Sequence, residues 1–171
     1  MIIFRCDSKQ YIPKNGVPEL NDVPADFLRQ AKKEGLPTMK QPTEEERKVI
    51  EEQISRVWAL IGDTFLAYPY PVCGFYLFDD AAYSGELAGA DGICCNHSNE
   101  ESETKFSIIA IGESAVQRGG DYLDFLLLHE ITHAATATAK HDEHFHIYLD
   151  YLLLSFNQRY GTTLKNDYIG D

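Results

Sequence analysis

Leu126-Leu127-Leu128-His129-Glu130-Ile131-Thr132-His133, followed after a short spacer by His141-Asp142-Glu143-His144-Phe145-His146, is the stretch on which the reading of this chain turns. Five of the six histidines lie between positions 129 and 146. On a helix, His129 and His133 stand one turn apart on one face, so both imidazoles can reach one metal ion with Glu130 beside them. That is the ligand layout of a zinc hydrolase. Neutral imidazole is a good zinc ligand, and catalytic zinc keeps three protein ligands and a fourth position for water, whose pKa falls to about 7. Glu130 is then placed to take the water proton and pass it to a leaving amine.

The competing reading is a pair of core histidines. Against it, Tyr122-Leu123-Asp124-Phe125-Leu126-Leu127-Leu128 is apolar on nearly all sides. The helix is therefore buried, and its polar groups need a partner. Leu127, Leu128, Ile131 and Ala135 lie opposite the histidine face and are expected to pack on the rest of the core. A third ligand must come from further along. His141 and His144, one turn apart, are the rivals, with Glu143 or Asp150 as carboxylate alternatives. Asp124, Asp142 and Glu143 are candidates to orient the imidazoles. Tyr148 and Tyr151 suit apolar packing or, alternatively, stabilisation of an oxyanion.

His129-Glu130-Ile131-Thr132-His133-Ala134-Ala135, the spacer and His141-Asp142-Glu143-His144-Phe145 resemble the SprT-like zinc metallopeptidase family. The resemblance spans roughly positions 43 to 160 in element order and 129 to 145 in motif detail. It implies a zincin-like core, peptide-bond hydrolysis, His141 as the third zinc ligand opening a second helix, and Phe145 packed beneath the site. Asp142 stands where the family usually has glycine, a departure that bears on the turn at His141. Members that act on DNA-bound proteins carry basic or zinc-ribbon additions, and this sequence shows neither.

With 171 residues, 44 % of them hydrophobic, the chain can bury one real core. Its formal net charge of -12 argues against a phosphate-binding surface, and so against direct contact with nucleic acid. No stretch reaches the length of a membrane span, and Met1-Ile2-Ile3-Phe4-Arg5-Cys6-Asp7 is too short and polar for a signal peptide, which predicts a cytoplasmic protein. Cys6, Cys73, Cys94 and Cys95 show no Cys-x-x-Cys spacing. Cys94, Cys95 and His97 as a second metal site is a weaker reading than buried strand thiols. Cys6 as a thiolate cap on the zinc lacks a surrounding pro-segment pattern.

Residues 1–42 hold five of the seven prolines and read as an extended arm, packed on the core, with a short helix over Ala25–Lys33. Residues 43–171 are expected to form the zincin-like catalytic domain. Thr43 and Glu46 predict a capping box, with Ile50, Ile54, Val57, Trp58, Ile61 and Phe65 on one face of the helix that follows. Strands are expected at 72–78, 89–95 and 105–111, with 96–103 as a polar hairpin loop. Asp121 is expected to cap the motif helix. Small side chains in Ala135-Thr136-Ala137-Thr138-Ala139 let the chain return to the metal, and a last helix carries Phe145, Tyr148, Leu149, Leu152, Leu153 and Phe156 as far as Gly161.

The expected whole is an α+β, zincin-like domain: a packing helix, a small three-stranded sheet, the motif helix and a final ligand-bearing helix. The expected activity is zinc-dependent hydrolysis of a peptide or protein substrate, with Glu130 as base and His129, His133 and His141 as ligands. The alternatives are a catalytically weak zinc-binding regulatory module and a protease acting on DNA-bound proteins. Oligomeric state is not encoded in any pattern found.

Overall fold

A computed structural model describes Arg29 and residues 39–62, 68–81, 89–99 and 104–167. The short helix over Ala25–Lys33 (Arg29 apart), Cys6 and Phe65 lie outside these residues. Helix α1 (Glu44–Ile61) starts as the capping box requires: the Thr43 hydroxyl accepts from the Glu46 N–H at 3.2 Å, and the Glu46 carboxylate accepts from the Thr43 N–H at 3.0 Å. Ile50, Ile54, Val57, Trp58 and Ile61 are buried along one stripe.

The sheet holds β1 (Met39–Lys40), β2 (Val72–Phe78), β3 (Gly92–Asn99) and β4 (Thr104–Gly112) in the order β1-β2-β4-β3. The three long strands match the small three-stranded sheet expected from sequence, and among the described residues the two-residue β1 adds a short fourth at one edge. β2 and β4 run parallel, and β3 returns antiparallel on the far side of β4. Phe75, Leu77, Ile109 and Ile111 belong to the main core, while Tyr76, Phe78, Ile108 and Ala110 are buried as well. Burial of both sets explains why the central strands read as unbroken apolar runs.

β3 departs from its expected span. Asn96, His97, Ser98 and Asn99 continue the strand and pair with Ser107, Phe106, Lys105 and Thr104, so they are not a hairpin loop. An edge strand is held by backbone bonds on one side and tolerates polar side chains that a central strand does not.

A six-residue helix, α2 (Glu113–Arg118), intervenes before the motif helix α3 (Gly120–Thr136). The cap of α3 is Gly119, not Asp121, which sits in the first turn. Gly119 and Gly120 both have positive φ, 57° and 55°, so backbone handedness sets the angle between α2 and α3 and no side-chain cap is made. Helix α4 (Glu143–Tyr160) follows and ends at Gly161 in the left-handed region. α3 packs on α4, β3, α1 and α2. Leu127, Leu128 and Ile131 are fully buried in the core, with Ala135 packed against it. No helix among the described residues is long and apolar enough to cross a membrane.

Asp124 ties this framework together. It is 1 % exposed and pairs with Arg56 of α1 at 3.0 Å. The guanidinium lies over the rings of Phe156 and Tyr160, and the Tyr160 hydroxyl donates to the Arg56 carbonyl at 2.7 Å. Asp124 is thus engaged by α1 through Oδ2.

Candidate metal centre

The four-residue spacing puts His129 and His133 on one face of α3, with ring centroids 5.1 Å apart. His141 comes from the turn beyond. Ala137 ends α3 with φ 55° and ψ 26°, a left-handed cap made without glycine. The Lys140 N–H then donates to the Thr138 hydroxyl at 3.0 Å, tightening the return. Asp142 caps α4, its carboxylate accepting from the Phe145 N–H at 3.0 Å, with φ -80°. That value lies in ordinary extended backbone, so the family's glycine is not needed at this position.

His141 is therefore fixed between two helix ends. Its Nε2 lies 3.2 Å from Nε2 of His129, and one ligand nitrogen from each of the three histidines lies within 4.8 Å of the others. Two nitrogens at about 2.0–2.1 Å from one tetrahedral ion stand about 3.3 Å apart. The His129–His141 pair matches that spacing, and the three histidines together could hold a metal ion. Phe145, fully buried, forms the floor, with its ring 4.9, 4.5 and 4.8 Å from those of His129, His133 and His141.

Ring orientation is set from behind. Nδ1 of His133 lies 2.7 Å from the Thr138 carbonyl, and since a carbonyl only accepts, Nδ1 carries the proton and Nε2 is left for a metal. Burial pushes the His129 pKa down to about 3, with smaller contributions from His133, His141 and His146. Burial also lowers His133 and His141, partly offset at His133 by the Thr138 carbonyl. All three rings are held neutral near pH 7, the form that binds metal.

Glu130 is 5 % exposed, and burial alone raises its pKa to about 8. It shares with the histidines a cleft of about 730 Å³ walled by β3 residues 92–94 and by Tyr122 and Phe125 of α3. Tyr122 donates to the Asp91 carboxylate, and Arg118 stacks over its ring at 3.6 Å. Tyr122 lies two helical turns before His129 on the same face, a signal present in the sequence but not read there.

The rival ligands fall elsewhere. His144 and Glu143 are exposed on the first turn of α4. Because His141 precedes that helix, His144 does not stack above it by helical spacing. Asp150 and His146 both bond the Asn166 amide, at 2.9 and 3.1 Å. Asp142 is occupied as a cap, and the group orienting His133 is a backbone carbonyl, which no side-chain pattern can signal. Tyr148 packs on the core and bonds Tyr68 at 2.8 Å, whereas Tyr151 is 62 % exposed; neither lines the cleft. Cys94 and Cys95 are half-buried, and Cys94 faces the cleft with its pKa raised well above normal by burial and by nearby Glu130 and Cys95. Among the described residues, the one three-donor group is His129, His133 and His141. Set against protein-family models, curated proteins and solved structures, the chain matches none of them.

Proposed function

We propose that the chain is a zinc-dependent metallopeptidase with a zincin-like core. The observation that carries this reading is the convergence of three neutral imidazoles beside a buried carboxylate on the wall of one cleft. His129, His133 and His141 hold the ion; an all-nitrogen set suits zinc and not magnesium or calcium. When bound, zinc lowers the pKa of water and polarises a carbonyl oxygen.

The remaining chemistry belongs to the chain. Glu130, which burial alone keeps protonated, would serve as a carboxylate base once a cation is held beside it. Glu130 accepts the proton of the attacking water, and its carboxylic acid then returns that proton to the nitrogen of the breaking peptide bond. Phe145 and the apolar side of α3 keep water from the back of the site. The outer edge of β3 borders the cleft and suits an extended peptide paired through its backbone.

The test is turnover of unstructured protein substrates by wild type and by Glu130→Gln, both loaded with zinc. Glu130→Gln is expected to keep its metal and lose about 10²- to 10⁴-fold in rate. Equal rates would refute the role of Glu130 and favour the regulatory zinc module.

A further inference from the structure

Gly92 is the first residue of β3 and pairs with Ile111. Its φ lies outside the left-handed region, so backbone conformation does not demand glycine there. Space does. A Cβ at this position would stand 2.8 Å from Oε1 of Glu130, 3.0 Å from its Cγ and 3.0 Å from Cδ1 of Leu126. The contact with Oε1 is closer than real Cβ atoms come, so the carboxylate end must shift; the two at 3.0 Å are tight, and Glu130 Cγ, inside its side chain, gives way less easily than the terminal Cδ1 of Leu126.

The strand cannot simply drift away from this contact. Before Gly92, the Asp91 carbonyl accepts from the Gly112 N–H at 2.8 Å, and the Asp91 carboxylate accepts from Tyr122 on α3. After it, the Asn96 amide reaches the His133 carbonyl at 3.5 Å, and its oxygen accepts from Ser107 at 2.6 Å. β3 is fastened to α3 on both sides of Gly92, with Glu130 between them.

We infer that Gly92 is a positioning residue: its missing side chain lets the β3 backbone bear directly on Glu130 and fix where the carboxylate stands in the cleft. This rests on the metallopeptidase reading and names a further residue for it. Gly92 touches no ligand histidine in this contact set, so its effect falls on the base and not on the metal.

The experiment compares zinc-loaded wild type, Gly92→Ala, Glu130→Gln and the double variant, measuring zinc content, kcat and KM. Gly92→Ala is expected to keep one zinc and a KM within about threefold, with kcat lowered about 10- to 100-fold, as for a displacement near 1 Å. In the Glu130→Gln background the same change is expected to leave the residual rate unaltered. Should Gly92→Ala fail to fold, Tyr122→Phe replaces it in the same cycle, since it removes the tie between α3 and the strand just before Gly92 without adding an atom. A wild-type kcat in the Ala (or Phe) variant, or an equal loss with Glu130→Gln, overturns the inference alone. Wild-type protein that binds zinc and hydrolyses nothing overturns the metallopeptidase reading and this inference with it.

Discussion

Helix α3 buries two sets of polar side chains, and they are finished in opposite ways. Near its start, Asp124 is 1 % exposed and meets Arg56, whose guanidinium is sandwiched against Phe156 and Tyr160. The protein supplies the counter-charge itself, and three helices are joined. One to three turns later, His129, Glu130 and His133 are 4, 5 and 9 % exposed and converge on a cleft with His141. Burial is the largest influence at both ends, but at Asp124 Arg56 pulls against it, whereas burial alone raises Glu130. A buried charge closed by its own protein is framework, whereas neutral donors gathered around a common point could take a partner from outside.

The largest way to sharpen this contrast is to remove the Glu130 charge in metal-free protein. Its pKa is about 8 in the fold against an ordinary 4.5, so the folded state binds the extra proton between those values. Stability contributed by Glu130 is full below about pH 4.5 and is lost as pH rises through 8. Glu130→Gln escapes that loss. Its stability relative to wild type is expected to grow by about 1.4 kcal/mol per pH unit, reaching roughly 3–5 kcal/mol by pH 9. Chemical denaturation at pH 5, 7 and 9 reads the trend, and a pH-independent difference would contradict it.

The framework end predicts the reverse. Asp124→Ala strands Arg56, which is itself partly exposed, and should cost about 2 kcal/mol in thermal or urea unfolding, less than for a fully buried pair. It should leave zinc content unchanged. Loss of zinc from the folded variant would erase the distinction between the two ends of α3. The smallest effect belongs to the hinge between them and α4: Asp142→Ala removes a helix cap, costing about 1 kcal/mol. Because the cap also anchors His141, zinc affinity should fall several-fold, which a competitive chelator titration resolves.

How much of this was readable beforehand follows the range of each interaction. The capping box of α1, the apolar β2 and β4, and the pairing of His129 with His133 are local patterns, and they stand where the sequence puts them. His141 sits with them, while spacing left His144 open, because helical spacing cannot say that His141 lies just outside the helix. β3 runs beyond its expected span because its polar second half is stabilised by an edge position that only the assembled sheet reveals. Arg56 with Asp124, and Gly92 against Glu130, join residues far apart in the chain and carry no periodic signal. The glycine pair at 119 and 120 was legible as punctuation but not as the device that replaces an Asp121 cap.

The most direct measurement is metal content by mass spectrometry on protein purified without added metal, for wild type, His129→Ala, His141→Ala and His144→Ala. The account predicts about one zinc per chain in wild type and in His144→Ala, and its loss from the other two. A wild-type protein that is metal-free and cannot be loaded with zinc, or a His141→Ala protein that keeps its zinc while His144→Ala loses it, would contradict the account.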